Sequence, residues 1–210
     1  IDTTPPDLDT VNIRSNNDNT TMAKVGDRIF LDLTFSENVN TPTVLIAGQS
    51  ASRHSGSGSS WVYRYDMRSS DSNGPVSLNV NFTDTLGNGP TTVTSTTNGS
   101  TVLFDKTAPN LYEVTAVSTP TSDNTSNYTF YSDEAGEITY SGGCDSDNET
   151  ALADNNSITF NELADGPHNN CIITVPDITG NTSNNLEVSP FVIDTTAPTL
   201  SPVTAVPTLT

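Results

Sequence analysis

The chain has little positive charge and no long apolar run. Of its 210 residues, 7 are Lys or Arg against 25 Asp or Glu, a formal net charge of −18, which repels phosphate backbones and anionic lipid. Nucleic acid is therefore a poor partner. The shortage is uneven, because no Lys or Arg follows Lys106 while residues 107–210 hold 14 acids. No stretch of 18 apolar residues exists, so no segment reads as a membrane span. The chain opens directly on Ile1-Asp2-Thr3-Thr4-Pro5, without a signal-like segment, and reads as a piece cut from something longer.

Imidazole and thiol are almost missing too. His54 and His168 are the only histidines and stand in different halves of the chain. The context Arg53-His54-Ser55-Gly56 has the form of neither a Ser-His-Asp site nor a metal-hydrolase site, which argues against an enzyme. Cys144 and Cys171 are the only cysteines. A metal site would want more ligands nearby, so a single disulfide and an oxidising, extracytoplasmic setting are expected.

What the chain has in abundance is Thr, Ser and Asn, 81 residues together. Thr is β-branched, and Ser and Asn compete for backbone hydrogen bonds, so strands and turns are favoured over helices. The chain is also repetitive. Ile1-Asp2-Thr3-Thr4-Pro5-Pro6, Phe104-Asp105-Lys106-Thr107-Ala108-Pro109 and Ile193-Asp194-Thr195-Thr196-Ala197-Pro198 punctuate it at Asp-to-Asp intervals of 103 and 89 residues. That period is close to the ~100 residues of an immunoglobulin-like sandwich. The expected fold class is all-β, with two tandem immunoglobulin-like β-sandwich domains over 1–104 and 105–193 and the start of a third over 194–210. Leu200-Ser201-Pro202-Val203-Thr204-Ala205-Val206 supports that start by echoing Leu111-Tyr112-Glu113-Val114-Thr115-Ala116-Val117.

Alternating apolar residues bounded by Gly, Pro, Asn and Asp predict strands. In the first module they fall near 8–14, 27–35, 43–48, 61–67, 76–83 and 91–104, with Trp61, Tyr63 and Tyr65 as core bulk. In the second they fall near 111–117, 127–132, 137–141, 157–161, 169–175 and 186–193, which puts the disulfide between strands of the core. The Ser- and Gly-rich stretch 55–60 reads as a flexible loop, and Thr-rich 91–101 as the polar outer side of an edge strand.

The junctions, together with Val25-Gly26-Asp27, Phe35-Ser36-Glu37, Thr83-Asp84-Thr85-Leu86-Gly87-Asn88, Ser132-Asp133-Glu134-Ala135-Gly136 and Asp177-Ile178-Thr179-Gly180-Asn181, make the chain resemble bacterial Ig-like tandem repeats. The resemblance covers almost the whole chain. It implies an extracellular or cell-surface location within a large adhesin or related protein. It also implies neighbouring Ig-like repeats of the same chain as partners, and calcium at module junctions as a stiffener.

An immunoglobulin-type topology returns the loop after the second strand and the loop before the last strand to the pole where the chain begins. Those places carry Asp2, Glu37 and Asp84 in the first module and Asp105, Glu134 (beside Asp133) and Asp177 in the second. Two unit charges about 5 Å apart repel by roughly 3 kcal/mol at an effective dielectric of ~20, so a cation is the natural resolution. Oxygen-only ligands at a flexible pole favour Ca2+ over zinc or magnesium, with Asn88 and Asn181 as further oxygen donors. The other reading of Asp-x-x-Gly-Asn is a good turn with no ion. Asp145-Ser146-Asp147-Asn148-Glu149 fails as an EF-hand, since Thr150 stands where Gly is needed and Asn156 where Glu is needed, and reads as a solvated loop.

The function expected is that of a calcium-stiffened spacer in a surface adhesin or fibre. The alternative is a recognition module for a surface glycan or protein, to which the unplaced Tyr112, Tyr131 and Tyr140 would belong.

Overall fold

Residues 28–35 show why sandwiches form. Ile29, Leu31, Leu33 and Phe35 are buried while Arg28, Phe30, Asp32 and Thr34 face outward, the two-residue period of a strand with one face on the core. Each such side chain fully buried contributes about 1.5–3 kcal/mol. The computed structural model describes residues 2–201. Ile1 and residues 202–210 lie outside the described part, and most of the expected third-repeat start falls there. Among the described residues there is no helix, and therefore none long and apolar enough to cross a membrane.

Contacts divide the chain into two units. One runs to Ala108 and takes in Asp177–Asn181; the other comprises Pro109–Pro176 and continues from Thr182.

In the first unit the strands are β1 (Leu8–Ser15), β2 (Met22–Ala23), β3 (Arg28–Phe35), β4 (Thr43–Ile46), β5 (Gln49–Ser50) and β6 (Ser52–Ser57). They continue with β7 (Ser60–Asp66), β8 (Gly74–Pro75), β9 (Leu78–Phe82), β10 (Thr91–Val93) and β11 (Leu103–Phe104). One sheet has the order β1-β3-β7-β6 and the other β10-β9-β4-β5. Counted along the chain, these are the A-B-E-D and G-F-C sheets of an immunoglobulin-like sandwich, with β5 added beside C. The short β2 pairs in parallel with β11, which also pairs with β8. Between the sheets lie Val11, Ile13, Leu31, Leu33, Trp61, Tyr63, Val80, Phe82 and Phe104 among others. Buried phenols and indole find acceptors, as Tyr63 Oη donates to Pro42 O at 2.7 Å and Trp61 Nε1 to Gly58 O at 2.9 Å.

In the second unit the strands are β12 (Leu111–Thr115), β13 (Asn127–Ser132), β14 (Gly136–Glu137), β15 (Thr139–Ser141) and β16 (Thr150–Ala151). After them come β17 (Asn155–Thr159), β18 (Gly166–His168), β19 (Ile172–Thr174), β20 (Leu186–Glu187) and β21 (Phe191–Ile193). The orders β12-β13-β17 and β15-β19-β20 repeat A-B-E and C-F-G, with β14-β16 and β18-β21 as short pairs. Tyr128, Phe130, Ile158, Phe160, Ile173, Val175, Phe191 and Ile193 belong to its core. The fold is all-β, two immunoglobulin-like sandwiches in sequence.

Several expectations need correction. The stretch 55–60 is not a flexible loop: β6 and β7 form a hairpin through it, with a bulge between Arg53 and Ser55. All six β6 residues are exposed, so this edge strand carries no apolar alternation to betray it. The strand expected over 91–104 stops at Val93 and resumes at Leu103, because Thr97 and Ser100 turn aside to bond the backbone of β1. The strand expected over 186–193 is broken in the same way ahead of Pro190, which has no N–H for a ladder. The Cys144–Cys171 disulfide forms, with both cysteines buried. It lies between strands of the core, as expected. Its cysteines flank β15 and β19, which are neighbours in one sheet. Glu149 and Asp145 stay exposed as the solvated-loop reading holds, but Ser146 is buried and donates to Thr159 O at 2.7 Å.

Candidate metal sites and aromatic surface

The loop Asp84-Thr85-Leu86-Gly87-Asn88 closes on itself. Asp84 Oδ1 accepts from the backbone N of Leu86 (2.9 Å) and of Asn88 (2.7 Å), and Asp84 Oδ2 accepts from Asn88 Nδ2 (2.7 Å). Asp84 N in turn donates to Asn88 O, and Gly87 N to Asp84 O. Gly87 has φ +91°, which an L side chain rarely adopts, so the sequence needs glycine there. A bridge between Val39 and Asp84 and a bond from Asn40 Nδ2 to Asp84 O fix this loop against the one carrying Glu37.

Asp84 is 1% exposed. Burial alone pushes its pKa up, but the hydrogen bonds from the Asn88 side chain and from the Asn88, Leu86 and Gly87 backbone outweigh it and hold the carboxyl below the ordinary range. Asp2, exposed, and Glu37, half-buried, come to the same place: Asp2, Glu37 and Asp84 each offer a carboxylate oxygen, all within 4.8 Å of one another. Glu37 is pushed up by burial and by the charges of Asp2 and Asp84. Thr4 N donates to Asp2 Oδ1 and Asn88 Nδ2 to Asp2 O, which ties the chain's start to the loop.

The set fits a hard cation on one count in particular. An oxygen with two lone pairs and one donor keeps a lone pair, and among the described residues Asp84 Oδ2 accepts from Asn88 Nδ2 alone. Asn88 itself faces the carboxylates through its N–H side, so its part is to close the loop.

Asp177 repeats the Asp84 geometry. Its Oδ1 accepts from Thr179 N, Thr179 Oγ1 and Asn181 N, and its Oδ2 from Asn181 Nδ2 at 3.0 Å. Asp105, also in the first unit, receives Asn181 Nδ2 on its backbone oxygen, and its carboxylate accepts from Thr107 N and Asn73 Nδ2. Glu134 and Asp133 belong to the second unit, where Ser132 Oγ donates to Glu134 O and Asp133 Oδ1 accepts from Asn110 N. Thr179 and Asn40 escaped the sequence reading. Thr179 stands inside a recurring Asp-x-x-Gly-Asn and had that signal, whereas Asn40 is 44 residues from Asp84 and had none.

Of the unplaced tyrosines, Tyr112 and Tyr131 are cross-strand partners stacked at 4.8 Å and 22°, with Tyr112 52% exposed. Tyr140 is half-buried and donates to Asn148 O. His54 packs edge-on against Phe30 at 5.3 Å, and His168 stacks on Phe191 at 5.1 Å.

The strand orders define the class, a tandem of immunoglobulin-like sandwiches. No family model matches the chain, and no curated protein matches it. Among solved structures, it is similar to the two-domain IG1+IG2 of DIP-gamma, at 10% identity and TM-score 0.41, over 89% of this chain and 97% of that one. It is also similar to the titin Ig tandem A164-A165, at 9% and 0.31 over 88% and 97%, and to Dpr11 IG1 bound to DIP-gamma, at 11% and 0.34 over 88% and 98%. The class assignment rests on strand order and register.

Proposed function

We propose that the chain is a non-enzymatic spacer segment of an extracellular bacterial repeat protein, in which Ca2+ at the acidic poles stiffens the Ig-like array. The observation that carries the reading is the convergence of Asp2, Glu37 and Asp84 on one pole, with oxygens within 4.8 Å and with Asp84 Oδ2 holding a lone pair to spare. The repeat extends the proposal to Asp105, Glu134, Asp133, Asp177 and Asn181, which occupy the corresponding places of the second module in the sequence. The buried disulfide supports an oxidising compartment.

Extracellular calcium modules bind at roughly 10⁻⁴ to 10⁻³ M, and calcium at a hundredfold its Kd adds about 2.7 kcal/mol to the stability of the form that binds it. Melting of the full chain across a calcium titration, with small-angle scattering alongside, is the test. Ca2+ raises Tm and narrows the distribution of lengths in solution; melting and dimensions unchanged by chelator would remove the ion from the function.

A second reading rests on a separate observation, the stacked Tyr112–Tyr131 pair on the outer face of β12 and β13. Exposed stacked rings suit the apolar face of a sugar or a partner's side chain. Saturable binding to a glycan array, lost on Tyr131→Ala, would place recognition ahead of spacing.

A further inference from the structure

The second sandwich brings its only imidazole to its only sulfurs. One ring nitrogen of His168 and the sulfurs of Cys144 and Cys171 lie within 4.8 Å of one another. His168 ends β18 and Cys171 follows it by three residues, so two of the three groups share one short turn. Cys144 is carried in from the end of β15, whose Ser141 pairs with Ile172.

A backbone carbonyl engages one nitrogen of the histidine, an arrangement common among metal-bound histidines. Its Nε2 lies 2.9 Å from Ala164 O. A carbonyl can only accept, so Nε2 carries a proton, which leaves Nδ1 as the nitrogen able to offer a lone pair to a metal. Stacking on Phe191 at 5.1 Å and 19° further restrains the ring plane. Cys171 also lines a cavity of about 450 Å³, together with Asn169, Asn170, Glu187 and Ser189.

We propose that opening the disulfide converts Cys144, Cys171 and His168 into a binding site for a thiophilic divalent cation of the zinc class. A two-electron reductant, a dithiol or a phosphine, is oxidised as the sulfur–sulfur bond breaks and each sulfur takes up a proton. With a phosphine, water supplies those two protons and the oxygen of the phosphine oxide. Zn2+ then displaces the thiol protons into solvent and binds two thiolates and the neutral imidazole, with water in the fourth tetrahedral position. Two thiolates cancel the charge of Zn2+, which suits a place where both cysteines are buried. Carboxylate clusters elsewhere on the chain lack sulfur and prefer harder ions.

The test is a Co2+ titration of the full chain, oxidised and after reduction with tris(2-carboxyethyl)phosphine. A thiolate-to-cobalt charge-transfer band reports sulfur ligation alone. The reduced chain develops that band at one Co2+ per chain, Zn2+ bleaches it, and the oxidised chain shows none. His168→Ala weakens Co2+ binding at least tenfold while the free thiol count stays unchanged. To separate a folded site from an unfolded reduced chain, the titration is repeated in guanidinium, where binding is at least tenfold weaker, and the metal-loaded reduced chain retains its strand circular dichroism. Absence of the band, an affinity indifferent to His168→Ala, or equal affinity in guanidinium would each overturn the site.

Discussion

Asn88 donates its side-chain N–H to Asp84 Oδ2 at 2.7 Å, and 93 residues later Asn181 does the same to Asp177 Oδ2 at 3.0 Å. In both loops the aspartate also gathers the backbone N–H of that asparagine, so each loop is complete without an ion. The turn reading and the ion reading are therefore not rivals. The turn engages both oxygens but uses Oδ2 only once, so a cation bound there would add to a loop already formed.

Removing Asp84 tests the turn alone. Asp84→Ala leaves the N–H groups of Leu86 and Asn88 without their acceptor, and it lowers the melting temperature in the absence of calcium. Asp84→Asn keeps one acceptor oxygen and lowers it less. The carboxyl is held below its ordinary range in the folded chain, so its stabilisation is present above the unfolded-state value. It is lost as pH falls through the folded value. Melting of the wild type from pH 6 down to 2, against Asp84→Asn, reads that loss; parallel curves would show the carboxylate contributes nothing.

Glu37 has the opposite sign. Burial first, then the charges of Asp2 and Asp84, raise its pKa, so folding loses stability as pH rises from the unfolded carboxyl value through the raised folded one. Glu37→Gln removes the repulsion and raises Tm at pH 7 with chelator present. In saturating calcium the order reverses, because the wild type gains a carboxylate ligand that the amide replaces poorly. A variant as stable as, or more stable than, wild type in both conditions would show that no ion uses Glu37.

How far the sequence revealed this depends on which face a residue occupies. β3 and β7 were legible because Ile29, Leu31 and Leu33 and then Trp61, Tyr63 and Tyr65 alternate into the core. β6 was not, because Ser52–Ser57 has no buried face and is held by ladder bonds to β7. Asp2, Glu37 and Asp84 were found through topology, since a repeat that fixes strand order fixes which loops share a pole. His168 and the cysteines were each noticed and kept apart: the pairing of β15 with β19 that joins them leaves no mark in the spacing of residues 144, 168 and 171.

Tyr128 offers a substitution that improves the fold. Its hydroxyl is buried without a hydrogen bond of good geometry among the described residues, and its nearest polar neighbour is the Glu113 carboxylate, whose oxygens already accept from Ser189 N and Ser189 Oγ. Burial, and then the Glu113 charge, push the phenol's pKa up, so it stays protonated. Tyr128→Phe keeps the ring packed on Phe160 at 5.9 Å and deletes the unmatched oxygen. It raises stability by up to about 1 kcal/mol, read from chemical denaturation. A loss of stability instead would mean the hydroxyl is satisfied, by the Glu113 carboxylate or by an ordered water.

The Thr-rich segment after β10 is more than a polar surface. β1 is the outermost strand of its sheet, and such an edge presents unpaired N–H and C=O groups to any other strand. Val11 N donates to Thr97 Oγ1 and Ile13 N to Ser100 Oγ, both at 3.0 Å, while Thr97 N returns a bond to Val11 O at 3.1 Å. Asn98 Nδ2 bonds Asn12 Oδ1, and Gly99, at φ +73°, turns the chain between them. Hydroxyls thus stand where a neighbouring strand's carbonyls would stand, and they give the edge partners without extending the sheet. The variant Thr97→Val with Ser100→Ala frees both N–H groups. It costs about 1–3 kcal/mol and leaves an edge that pairs with a second copy, read as a concentration-dependent dimer by sedimentation. A double variant that stays monomeric and melts as the wild type does would show that Thr97 and Ser100 do not guard this edge.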